Sequence, residues 1–207
     1  MIYEVRTYRT KPRAVPTVME VFGKAYEKRK KLSPLAAFFH TDIGMLNQII
    51  HIWPYKDAAD REKKRMESAK DKKYAWPPKI GEHLEEMQTE IFIPSPMTPE
   101  FPKGKMGPIF EWREYQVIPN MIPEVYKSWE KALPKRTAMS PLVMAMHTES
   151  GALNKFVHIW SYESMNHRSE VRAEAAAKGI WPPKNKVETL QIQTNKIVLA
   201  APFSPLQ

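Results

Sequence analysis

The chain repeats itself, and that constrains its fold more than any other feature. His51-Ile52-Trp53-Pro54-Tyr55 is followed by Arg61, and His158-Ile159-Trp160-Ser161-Tyr162 by Arg168 at the same spacing. Sliding Glu4–Arg61 onto Glu111–Arg168 needs no gap and leaves 23 of 58 positions identical. Unrelated chains of ordinary composition share roughly one position in seventeen. The chain is therefore a tandem duplication, and each copy must be a unit with its own buried surface. Unit one spans 1–95 and unit two 108–201. A Pro-rich linker, 96–107, joins them and 202–207 is a tail. Units of this size can bury a core, and 43% hydrophobic residues suit a folded protein.

Each copy spells the same element order. Tyr3–Tyr8 and Phe110–Tyr115 alternate like strands. Next comes an apolar stripe at helical spacing: Val15, Val18, Met19, Phe22, Tyr26, then Ile122, Val125, Tyr126, Trp129, Leu133. Ser33-Pro34 and Ser140-Pro141 end those helices, because a residue before proline disfavours helical geometry. Two strands follow in each copy, Leu35–Thr41 with Asn47–Tyr55 and Leu142–Thr148 with Asn154–Tyr162, turning near Gly44 and Gly151. Polar helices Asp57–Lys73 and Ser164–Lys178, with Asp57 and Ser164 as caps, precede Trp76-Pro77-Pro78-Lys79 and Trp181-Pro182-Pro183-Lys184. Last strands lie near Met87–Ile93 and Leu190–Leu199. The order βαββαβ, twice, is an α+β, ferredoxin-like pattern. Two such antiparallel sheets facing each other make an α+β barrel with helices outside. It could close within one chain or between chains of a homo-oligomer, most simply a dimer.

Strand parity sorts the repeated polar residues onto one face. Glu4, Arg6 and Tyr8 share it with Trp53, Tyr55, His51, Asn47 and His40. Glu111, Arg113 and Tyr115 share it with Trp160, Tyr162, His158, Asn154 and His147. Ile50 and Ile52 mark the other face as apolar and suited to the helices, which sends the polar face between the two sheets. There it forms either a hydrogen-bonded seam or a pocket for a small, aromatic or anionic molecule. Arg61 and Arg168, in the first turn of a helix, oppose its dipole and call for a partner, either a buried carboxylate such as Glu4 or Glu111 or a substrate anion.

Other classes lack support. Cysteine is absent, which excludes disulfides and thiolate metal sites. No phosphate-binding glycine loop, nucleophile elbow or HExxH motif occurs. His40 and His51 lie too far apart along their strands to share one ion, so no metal and no cofactor is expected. The net charge of +9 sits mostly in helical runs such as Lys28-Arg29-Lys30-Lys31, and a solvated helix face explains it without nucleic acid. No apolar run is long enough for a membrane span, and the first strand leaves no room for a leader. The chain reads as cytoplasmic.

The string E-x-R-x-Y, H-T, G-x-L-N, H-I-W-x-Y and an Arg six residues on resembles the NIPSNAP family, in both copies. That resemblance implies the dimeric α+β barrel fold, whose members include cofactor-free monooxygenases, haem enzymes and pure binding proteins. It implies no assigned reaction. Within it His51 and His158 are the candidates for moving a proton, in a cofactor-free acid/base or monooxygenase-type step. A non-enzymatic interaction module is the alternative.

Overall fold

The computed structural model describes all of residues 1–207. Strands are β1 (Ile2–Thr10), β2 (Ala37–Ile43), β3 (Gln48–Tyr55), β4 (Leu84–Pro94), β5 (Ile109–Val117), β6 (Leu142–Ser150), β7 (Lys155–Tyr162) and β8 (Leu190–Ala200). Helices are α1 (Val15–Arg29), α2 (Ala58–Lys70), α3 (Ile122–Thr137) and α4 (Met165–Ala177). Proline sits in the first turn of α1 and α3, where its missing N–H costs nothing. Asp57 and Ser164 cap α2 and α4 by accepting from the backbone N–H of Asp60 and His167. No helix is long and apolar enough to cross a membrane.

The eight strands close into one antiparallel barrel in the order β1-β3-β2-β8-β5-β7-β6-β4. Closure happens within a single chain, by exchange between the repeats. The last strand of repeat one, β4, pairs with β6 of repeat two, and β8 pairs with β2 of repeat one. The segments after those strands cross over as well. Ala201 donates its N–H to the Phe38 carbonyl at 2.9 Å, and Ser95 donates to the Ala145 carbonyl at 2.9 Å. Phe203 lies against α1 so closely that a Cβ on Gly23 would come within 2.8 Å of its ring. No strand edge is left free, so closure requires no second chain.

The two strand faces point opposite to the sequence expectation. Val5, Ile50, Ile52, Ala37 and Phe39 pack with Trp112, Val157, Ile159 and Met144 in one cluster shared by both repeats, which fills the barrel. Tyr8, Trp53 and Tyr55 pack instead with Val18, Phe22 and Tyr26 of α1. Tyr115, Trp160 and Tyr162 pack likewise on Val125, Trp129 and Leu133 of α3. The polar aromatic face thus lies under the helices, not between the sheets. An eight-stranded barrel is just wide enough for side chains to fill, and branched apolar residues suit that sealed space. Arginines and tryptophans fit the layer under the helices, where Arg6 and Arg65 reach its edge while Arg29, Arg136, Trp53 and Trp160 stay buried.

Candidate functional site

In repeat one the layer between sheet and helices collects charges around a single acid. Glu4 is fully buried. Its Oε1 accepts from Arg6 Nη1 at 3.0 Å, Arg61 Nη2 at 2.6 Å, Arg65 Nη1 at 3.4 Å and Thr89 Oγ1 at 3.1 Å. Burial raises its pKa, but the Arg61 hydrogen bond and the Arg6 and Arg65 charges outweigh that and hold it below the ordinary value. Arg61 therefore has the acidic partner expected of it. Arg6 also donates through Nε to the Tyr8 hydroxyl.

Beside this cluster Arg29, from the last turn of α1, is buried with no carboxylate partner. It is 2% exposed and stacked between the rings of Trp53 and Trp76, 4.1 Å from each centroid. Burial lowers its pKa to about 10, with Tyr55 opposing and Arg65 adding to the shift. These side chains surround a cavity of about 350 Å³. Arg6, Arg29, Arg65, Tyr8 and His51 line its polar part. Phe22, Trp53, Trp76, Ile80, Leu84 and Met87 line the rest, and no Asp or Glu does.

The state of His51 follows from its neighbour. Trp53 Nε1, which can only donate, lies 2.6 Å from His51 Nδ1. Nδ1 must accept, so the proton of the neutral ring sits on Nε2, which has no partner. Burial and the Arg6, Arg29 and Arg65 charges hold the pKa of His51 well below the usual histidine value. His51 is thus a fixed neutral donor in a wall of donors.

A family model described as NIPSNAP matches residues 3–99 and again 110–205. The chain belongs to the NIPSNAP family. Protein NipSnap homolog 3B of Homo sapiens is 27% identical, with 99% of this chain and 85% of that protein aligned. Protein NipSnap homolog of Dictyostelium discoideum is 24% identical over 87% of this chain and 78% of its own. A crystal structure titled putative monooxygenase, from Lactobacillus acidophilus, covers 97% of this chain and 93% of its own, with a TM-score of 0.62. At 10% identity it shares the barrel fold alone.

The NIPSNAP signature residues divide once they are placed. Glu4, Arg6, Tyr8, His51, Trp53, Tyr55 and Arg61 meet in one layer, as do Glu111, Arg113, Tyr115, His158, Trp160, Tyr162 and Arg168. His40 shares that face but lies outside the cavity, and His147 bonds to Tyr126. Asn47 and Asn154 lie outside the cavity. They take left-handed conformations, φ 60° and 57°, where the β2–β3 and β6–β7 hairpins turn, a geometry asparagine tolerates. Arg29, Arg65 and Trp76 were missed. The signal was present, since Arg29, Arg65 and Trp76 recur as Arg136, Arg172 and Trp181. No group of three or more His, Asp or Glu side chains is placed to hold a metal ion.

Proposed function

We propose that this NIPSNAP chain binds a small organic anion with an apolar or aromatic body, in the cavity between the first sheet and its helices. One observation carries the reading: three guanidinium groups and no carboxylate line the cavity. Glu4 offsets one of those charges and leaves the rest unneutralised in a partly dry space, where an anion gains most from charge-assisted hydrogen bonds. Arg6 and Arg65 hold the anionic head, with the Nε2–H of His51 as a further donor. The body lies on Trp76, Phe22 and Ile80. His51 orients the ligand; its Trp53 bond and its arginine neighbours oppose the imidazolium that proton transfer would need. The putative monooxygenase fold neighbours bring no reaction to this chain.

The test is a thermal-shift and calorimetric comparison of benzoate, phenylacetate and octanoate with benzamide at millimolar concentration. The carboxylates should bind and stabilise the protein, and benzamide should not. Arg65→Met should abolish binding while leaving the fold nearly as stable, because Arg65 is part-exposed and Glu4 keeps its Arg6 and Arg61 partners. Absence of binding by every carboxylate, or equal binding of the neutral amide, would overturn the reading.

A further inference from the structure

The duplicated site is not duplicated as a space. Arg6, Tyr8, Arg29, His51, Trp53 and Trp76 all recur, as Arg113, Tyr115, Arg136, His158, Trp160 and Trp181. Their geometry recurs too. Trp160 Nε1 donates to His158 Nδ1 at 2.7 Å, and Arg136 stacks on Trp160 at 4.2 Å. Yet a cavity opens among the first set, and none of the main cavities lies among the second.

The centre of the layer explains the difference. Phe22 of α1 is replaced by Trp129 of α3. The Phe22 ring stands 5.0 Å from His51 and 5.2 Å from Trp76. The larger indole of Trp129 stands 4.7 Å from both His158 and Trp181. A bigger ring at shorter separations takes the room that Phe22 leaves open. The neighbouring exchange removes volume from the second repeat, since Phe38 and Ile49 become Ala145 and Phe156, so it does not account for the closing. The ring 5.6 Å from the histidine comes from Phe38 in repeat one and from Phe156 in repeat two, and the position opposite holds Ile49 in the first and only Ala145 in the second.

We propose that the second repeat is a latent copy of the anion site, filled by its own Trp129, so that the chain holds one ligand and not two. This rests on the anion-site reading of repeat one. Trp129 does not touch the ligand. It occupies the ligand's place, and the arginines and His158 behind it keep the recognition chemistry.

Calorimetry with benzoate on the full chain tests this through stoichiometry. Wild type should take up one benzoate per chain, Trp129→Phe two, and the reciprocal Phe22→Trp none. Phe22→Trp has a native precedent in the folded second repeat, and its fold can be verified by an unchanged unfolding midpoint within the range of ordinary core swaps. Two benzoates on wild type, or one on Trp129→Phe with the fold intact, would overturn the latent-site inference and leave the proposed function standing. No benzoate on wild type would overturn both.

Discussion

Two buried neutral histidines should make this protein lose stability in mild acid. His51 and His158 are 1% and 0% exposed, and each accepts a tryptophan N–H at Nδ1. Burial first, then the surrounding arginines, holds both pKa values well below the usual range. In the unfolded chain a histidine titrates near 6.5, so as pH falls the unfolded state takes up protons that the folded state refuses. The stabilisation is complete above that value and drains away below it. From about pH 7.5 to about pH 5.5 each histidine that stays neutral when folded costs about 1.4 kcal/mol, hence about 2.7 kcal/mol for the pair. Glu4 and Glu111 add almost nothing in that window, because their unfolded partners ionise near 4.3. Urea unfolding at several pH values measures the slope. In His51→Asn/His158→Asn the amide oxygen still accepts the indole N–H but does not titrate. Absolute stability falls in that variant, while most of the pH dependence should disappear. Half-buried His147, whose pKa burial also lowers, leaves a residual slope in the same direction. A wild-type curve that is flat across the window, or a double variant with the full slope, would refute the neutral, tryptophan-bonded histidines.

Other consequences follow from the charge cluster and from strand exchange. Glu4→Gln leaves Arg6, Arg61 and Arg65 without their shared counter-charge, and should cost about 3 kcal/mol in chemical denaturation. A fragment of residues 1–107 keeps the β1–β4 and β2–β3 pairings but leaves the other edges of β2 and β4 open, without β8 and β6. Exposed edges of that kind recruit another chain, so in size-exclusion chromatography it should run as a dimer or larger. A folded monomeric fragment would contradict the exchange.

Much of this was readable in the sequence, and the misreading is specific. Tandem units, element order and the sharing of a face by Glu4, Arg6, Tyr8, His51 and Trp53 all follow from a period of two and an offset of 107. Parity sorts side chains into two sets without saying which set meets the helices, and here both sets are buried. On sequence alone the apolar set suits the helices, because helices usually present apolar stripes. The stripe on α1 does exist, but it packs against tryptophan, tyrosine and histidine rings, which are apolar on their faces and polar only at their edges. Arg29 looked like one more lysine-run charge. Its recurrence as Arg136 distinguished it from Lys30 and Lys31, which become Thr137 and Ala138. The closing of the second cavity was not legible, because phenylalanine to tryptophan at a core position reads as conservative until the space beside it is measured.

The duplication then acquires a physical rationale beyond doubling a site. Because β4 and β8 are exchanged, each repeat supplies the strand and following segment that complete the other. Neither repeat can be lost without opening the barrel, whether or not it binds anything. A second site whose recognition groups also hold its own layer together cannot simply decay. Removing Arg136 would strip hydrogen bonds from Ser140 and Tyr162, and removing Glu111 would strand Arg113 and Arg168. The substitution open to such a repeat is one that fills the space and keeps the walls, and Phe22 against Trp129 is a substitution of that kind. The persistence of the His-Ile-Trp-x-Tyr echo in both halves therefore reports the structural debt of the layer. On the proposed function, the exchange of Phe22 for Trp129 at its centre marks where a ligand would go.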